Sequence, residues 1–170
     1  MSDDSFKTTL RNYATWYLSR KECSVFELRK SMNRRVISLS KKLQIEPPEG
    51  IATWIDEFLE SWVKSGVLSD ERFQKMATRS QLAKNKGYRA IQMKLQTKGV
   101  KLTPDAYKKH LEEEGVEDVK AYEVARIGEL LRRKYPGYSS DRKIAQRAFG
   151  FLMRRGFSSS DIQTAMKTKE

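Results

Sequence analysis

The sequence predicts an all-α protein of three tandem three-helix repeats, and three observations carry that prediction. Apolar residues recur at spacings of three and four along almost the whole chain, proline is confined to connections, and strand-like alternation is almost absent. A turn signal also recurs: an apolar residue, three spacers, a glycine, a second apolar residue and, within a few positions, a serine or threonine. The copies are Trp62 to Gly66-Val67 with Ser69, Leu95 to Gly99-Val100 with Thr103, and Leu152 to Gly156-Phe157 with Ser158. Each glycine is placed to close a helix in the left-handed conformation, each apolar pair to pack across that closure, and each hydroxyl to cap the next helix. Repeats of this kind stack in one direction, so the expected shape is an elongated, curved array, right- or left-handed, that exposes long faces.

The first repeat is expected over residues 1–66. Leu10, Tyr13, Ala14, Tyr17 and Leu18 form one stripe, and Ser24 with Glu27 makes a capping box for a second helix carrying Leu28, Met32, Val36, Leu39 and Leu43. Pro47-Pro48-Glu49-Gly50 is the expected stop, and Trp54, Ile55, Phe58, Leu59, Trp62 and Val63 mark the third helix. The second repeat, 67–115, opens at Ser69 with Asp70 and Glu71 complementing the helix dipole, and turns Phe73, Met76 and Ala77 inward. Gly87 is expected to break that helix, Ile91 and Leu95 to mark the next, and Thr103-Pro104-Asp105 to open a third. The third repeat, 116–170, has a helix around Tyr122, Ala125, Ile127, Leu130 and Leu131, the Tyr135-Pro136-Gly137 turn, a helix through Ile144, Ala148, Phe151 and Leu152, and a short last one from Ser158.

Charge narrows the function. The chain has 170 residues and carries 34 Lys+Arg against 22 Asp+Glu, a formal net charge of +12, which points to an acidic partner. Between Arg72 and Pro104 there are nine basic residues and no acid; Arg72, Lys75, Arg79 and Lys101 join Lys84, Lys86, Arg89, Lys94 and Lys98 in this block. Similar blocks fall between Glu27 and Glu46, and between Asp141 and Asp161, where Arg142, Lys143, Arg147, Arg154 and Arg155 stand. One block is what any solvated helix face carries; three, one per repeat, read as a positive stripe. Tyr88 and Tyr138 lie beside basic residues as candidates for base stacking, with helix-boundary packing as the plainer role.

Catalytic readings find little support. His110 stands beside Lys108, Lys109 and Glu112 with no serine or cysteine in a triad context, and reads as a surface histidine. Metal ligation lacks cysteine and histidine, no phosphate-binding glycine loop is present, and no cofactor is implied. The lone Cys23 reads as a small buried residue of a reducing compartment. The acidic, polar start Met1-Ser2-Asp3-Asp4-Ser5 is unlike a signal or transit peptide, and no apolar run approaches a membrane span, so a cytoplasmic monomer without membrane contact is expected.

Several of these segments together resemble the bacterial RecX regulatory proteins. They are Val67-Leu68-Ser69-Asp70-Glu71-Arg72-Phe73, Lys86-Gly87 with Ile91 and Leu95, Lys98-Gly99-Val100, and Phe151-Leu152-Met153-Arg154-Arg155-Gly156-Phe157-Ser158 with Ile162. The likeness runs from about Tyr13 onward and departs at Ala90 and Lys94, where members commonly carry a basic and an acidic residue. It implies a non-enzymatic regulator that lies in the groove of a RecA filament on single-stranded DNA and restrains ATPase, strand exchange and filament extension, limiting recombination and SOS induction. The expected contacts are Lys84, Lys86, Arg89, Lys94 and Lys98 with Arg142, Lys143, Arg147, Arg154 and Arg155. The alternative is a helix-turn-helix-like protein that binds free DNA directly, without RecA.

Overall fold

A computed structural model describes residues 2–168, and among these the chain is helical throughout, with no strand. In order the helices are α1 (Asp3–Arg20), α2 (Val25–Leu43), α3 (Ile51–Lys64), α4 (Asp70–Ala83), α5 (Tyr88–Gln96), α6 (Pro104–Glu113), α7 (Val119–Lys134), α8 (Arg142–Arg154) and α9 (Ser159–Lys167). The predicted caps form. Ser24, Ser69, Thr103 and Ser158 accept from the backbone N–H three residues on, at 3.1, 3.1, 3.2 and 3.1 Å, satisfying donors that a helix start leaves open.

Gly66, Gly99 and Gly156 adopt φ of 75°, 73° and 88°, in the left-handed region the turn signal requires. At Gly156 the closure is a full Schellman pair, Gly156 N–H to the Met153 carbonyl (3.0 Å) and Phe157 N–H to that of Leu152 (3.3 Å), with Leu152 and Phe157 buried across it. A fourth copy closes α6: Gly115 N–H reaches the Glu112 carbonyl and Val116 N–H that of Leu111, both at 2.9 Å. Its following cap is Asp118, so a pattern written with serine or threonine passes it by.

Two expected stops are corrected. Gln44, at φ 54°, ends α2 ahead of the prolines, and Asn85, at φ 55°, ends α4. Gly87 therefore breaks nothing; at φ −84° and ψ 169° it is the extended cap from which α5 begins. Four face assignments also change. Leu43, Val63, Val67 and Met76 point outward, 38%, 45%, 48% and 43% exposed, so that Leu68 and not Val67 is the buried residue after Gly66, and the buried side of α4 is completed by Thr78.

The chain divides into two compact units, Met1–Gln74 with Lys98–Val100, and Lys75–Thr97 with Lys101–Glu170. The first is built on Phe6, Leu10, Ala14, Leu28, Met32, Ile55, Leu59 and Leu68. Cys23 lies in that core, and burial pushes its thiol up to about 12 from an ordinary 9.0. A thiol that far above neutral holds roughly a thousandfold less thiolate than a free one, so alkylation of the native protein at pH 7.5 is expected to be slower by about that factor. The check is the ratio of labelling rates in buffer and in urea.

The second unit has its own core of Ile127, Leu130, Leu131, Ala148, Leu152, Phe157, Ile162 and Ala165. Each unit contains the same joint, in which a glycine turn seats on the start of a middle helix. In the first, the Ser24 hydroxyl donates to the Lys98 carbonyl (2.5 Å), and a Cβ on Gly99 would stand 2.4 Å from Cβ of Phe26. In the second, Gly87 and Arg89 donate their N–H groups to the carbonyls of Arg155 (2.9 Å) and Gly156 (3.1 Å). A side chain is excluded on both sides of that second contact, because backbone meets backbone there.

Candidate partner-binding face

Cations form a binding face only where the fold leaves them without partners, and distance along the chain does not decide that. Acids remote in sequence return to neutralise much of the basic segments. Arg29 pairs with Asp56 at 2.8 Å, Lys75 with Glu113 at 2.5 Å and Arg79 with Glu114 at 3.0 Å. Arg72 binds Glu22 and donates to the carbonyls of Gly66 and Val67 at 3.0 and 2.8 Å. Lys75 holds the Glu113 carboxyl below its usual range by direct hydrogen bonding.

The ten candidate residues therefore separate. Lys98, in the first unit, is bound to Glu27 at 2.5 Å beside the cap of α2. In the second unit Arg155 donates to the carbonyls of Lys84 (2.6 Å) and Asn85 (3.4 Å) and stacks on Phe151. These two side chains are engaged within the fold. Lys84, Arg89, Lys94, Arg142, Lys143, Arg147 and Arg154 are exposed, Lys86 is half-buried, and among the described residues none of the eight meets a carboxylate within 4.0 Å.

Helix α8 concentrates them. Lys143, Arg147, Gly150 and Arg154 follow one another at intervals of four, three and four, which places them along one face, and α8 contains no acid. The apolar side, Ala148 and Leu152, fixes that face outward by packing into the second core. Asp141 caps the helix, accepting from Lys143 and Ile144 N–H at 2.7 and 3.2 Å. On α5, Arg89 and Lys94 flank Met93, which is 68% exposed. Tyr88 is not a free stacking platform: its hydroxyl donates to the Leu102 carbonyl at 3.2 Å and its ring packs 5.1 Å from Tyr107.

The expectation for His110 is also corrected, since it is buried at 7% exposure on the inner side of α6 with Tyr107 and Leu111. Sequence reasoning missed a buried ionic network as well. Glu123 and Arg126 on α7 are 5% and 9% exposed. One Glu123 oxygen, Oε1, accepts from Tyr107 and from Arg126 (3.0 Å), and Arg126 also donates to the carbonyls of Leu82 (3.3 Å) and Lys86 (2.8 Å), its guanidinium lying 5.4 Å from the Phe157 ring. The signal was present, because both residues fall in phase with Ile127 and Leu130.

Among the described residues no group of acids, histidines and cysteines could hold a metal ion, and no helix is long and apolar enough to cross a membrane. The class that emerges is an all-helical protein of capped glycine turns with a cationic helix face that has no carboxylate partner among the described residues. Residues 121–166 match the family described as RecX, third three-helix domain. The chain is 31% identical over 154 residues to Regulatory protein RecX of Haemophilus influenzae (strain PittEE), covering 89% of this chain and 88% of that one. It is 30% identical over 156 residues to Regulatory protein RecX of Myxococcus xanthus (strain DK1622), covering 89% and 80%. The crystal structure of RecX from Lactobacillus salivarius has the same fold, with a TM-score of 0.71 at 20% identity over 94% of each chain. The chain belongs to the RecX family of regulatory proteins.

Proposed function

We propose that this protein regulates the RecA recombinase by binding its filament on single-stranded DNA, inhibiting ATP hydrolysis, strand exchange and filament extension. In this reading it acts in the cytoplasm as a monomer, by contact and without catalysis of its own. Three three-helix repeats, 1–66, 67–115 and 116–170, supply the contacting surfaces. The observation that carries it is the acid-free outer face of α8, where Lys143, Arg147 and Arg154 stand at helical spacing with no ion pair among the described residues. A filament bearing nucleic acid and acidic protein surface is a long polyanion, and aligned cations on a rigid helix match it with little ordering cost. Lys84, Lys86, Arg89, Lys94 and Arg142 extend the contact, while Lys98 and Arg155 are engaged within their own units, with Glu27 and with the Lys84 carbonyl.

The test is DNA-dependent ATP hydrolysis by the cognate RecA with increasing amounts of this protein. Inhibition is expected, and the double reversal Lys143→Glu with Arg147→Glu is expected to raise the inhibitory concentration by roughly 10–100-fold while leaving the far-UV CD unchanged. Undiminished inhibition by that variant would remove α8 from the contact. Direct DNA binding is separated by salt: tight binding to bare DNA that collapses between low and moderate salt, with RecA turnover unaffected, would favour the DNA-binding reading instead.

A further inference from the structure

The first unit carries a patch that the α8 face does not explain. Along one flank of α1, Tyr13, Trp16, Tyr17 and Arg20 follow at helical spacing beside the buried stripe of Phe6, Leu10 and Ala14. Trp16 is 51% exposed. A lone exposed aromatic means little by itself, and its surroundings are what set this one apart. The Tyr13 ring lies 5.8 Å from that of Trp16, and the Tyr17 ring 6.1 Å from that of Tyr13. Tyr13 is fixed from α2 by a 2.6 Å hydrogen bond between its hydroxyl and that of Ser31. Each ring also has its own cation: Arg20 lies 5.1 Å from the Trp16 centroid, Lys21 5.0 Å from that of Tyr17 and Arg35 5.6 Å from that of Tyr13.

Acids do not neutralise this patch. None stands between Asp4 and Glu22 in the sequence. Among the described residues Arg20, Lys21 and Arg35 meet no carboxylate within 4.0 Å, and the next two acids, Glu22 and Glu27, are taken by Arg72 and Lys98. Aromatic surface interleaved with positive charge complements a strand that alternates bases and phosphates. A lipid surface fits less well, because every other exposed residue of α1 is polar or charged and offers no apolar side chain to insert. An acidic peptide would answer the cations and leave the indole unused.

We propose that Trp16, with Tyr13, Arg20 and Lys21, is a stacking platform for a base of single-stranded DNA. One base stacks on the exposed surface of the indole, while Arg20 and Lys21, both exposed, turn to the flanking phosphates. The contact of Arg20 with the indole does not oppose this, since a cation–π contact at an exposed site is weak and yields to a charged hydrogen bond with phosphate. The site goes beyond the contact made by α8: it takes the strand itself, and it belongs to the first unit.

The experiment is fluorescence polarisation of a dye-labelled oligothymidylate dodecamer titrated with the full chain, with no RecA present. Wild-type binding is expected at a Kd of roughly 1–100 µM in low salt. Trp16→Ala is expected to weaken it roughly 5–100-fold with the far-UV CD unchanged, and Trp16→Phe to recover most of that loss. On a dodecamer of the same charge whose sites are all abasic, wild type and Trp16→Ala are expected to bind alike, which separates stacking from charge. Equal affinity of wild type and Trp16→Ala for the oligothymidylate, or an equal Trp16 effect on the abasic strand, overturns the proposal. So does a wild-type chain that ignores the oligonucleotide and instead uses Trp16 to bind phosphatidylserine vesicles or poly-glutamate. Because RecA is absent, this result and that of the ATPase assay stand or fall separately.

Discussion

Replacing Gly156 with alanine is expected to lower stability by about 3–5 kcal/mol, because two separate penalties coincide at this residue. The first is conformational: at φ 88° an L side chain is strained, a cost of roughly 1–2 kcal/mol. The second is steric, and larger. A Cβ there would stand 2.3 Å from the Ala90 backbone nitrogen and 2.5 Å from its Cβ, so the α5 start must move away and give up hydrogen bonds such as that from Arg89 to the Gly156 carbonyl.

Two companion variants separate the penalties. Gly66→Ala has strain without a clash, since φ is 75° and nothing lies within 4 Å of the added atom, so about 1–2 kcal/mol is expected. Gly87→Ala has a clash without strain, with φ at −84° and Gly156 backbone atoms 2.6 Å away, so about 2–3 kcal/mol is expected. Urea unfolding followed by far-UV CD ranks the three. Trp16, Trp54 and Trp62 all lie in the first unit, so tryptophan fluorescence reports that unit alone. Equal losses for Gly156→Ala and Gly66→Ala would mean the backbone joint contributes nothing.

Removing Arg126 has the other large expected effect, about 3–5 kcal/mol for Arg126→Ala. The loss exceeds one ion pair because the guanidinium serves three oxygens at once. Without it Glu123 becomes an uncompensated buried carboxylate, the Lys86 carbonyl loses this donor, and that of Leu82 keeps only the Asn85 N–H. Adding Glu123→Gln to Arg126→Ala is therefore expected to restore part of the stability, since it removes the orphaned charge. A double variant less stable than Arg126→Ala would show that charge burial is not the cause.

The same residue sets a pH dependence. Burial is the foremost influence on Glu123 and raises its carboxyl above the ordinary 4.5, while Arg126 and Tyr107 act in the opposite direction. The folded state thus holds this proton more tightly than the unfolded state, and stability falls as pH rises from 4.5 to the folded value. In Glu123→Gln that component of the slope is expected to vanish, measured as the difference in unfolding free energy between the two ends of the window.

Much of the fold was legible because its determinants are local. A cap is decided within four residues, as at Ser24, Ser69, Thr103 and Ser158, and a left-handed closure within six, as at Gly66, Gly99 and Gly156. Gln44 and Asn85 were missed because either residue tolerates several conformations and only the surrounding packing selects the left-handed one. Glu123 and Arg126 were missed because a charge in the phase of a buried stripe is read as an interruption; they pair with each other three residues apart on α7, and only folding adds Tyr107 and the carbonyls of Leu82 and Lys86 that complete the network.

The sequence by itself determined an all-helical chain, the capped turns that punctuate it, the excess of cations and the family. The tertiary structure decided which cations are free, that Gly87 and Gly156 meet backbone to backbone, and that His110, Glu123 and Arg126 lie inside. The physical reason is range. Hydrogen bonds of caps and turns join neighbours in sequence, whereas charge neutralisation and close packing join groups such as Lys98 and Glu27, or Arg155 and Lys84, that only folding brings within reach.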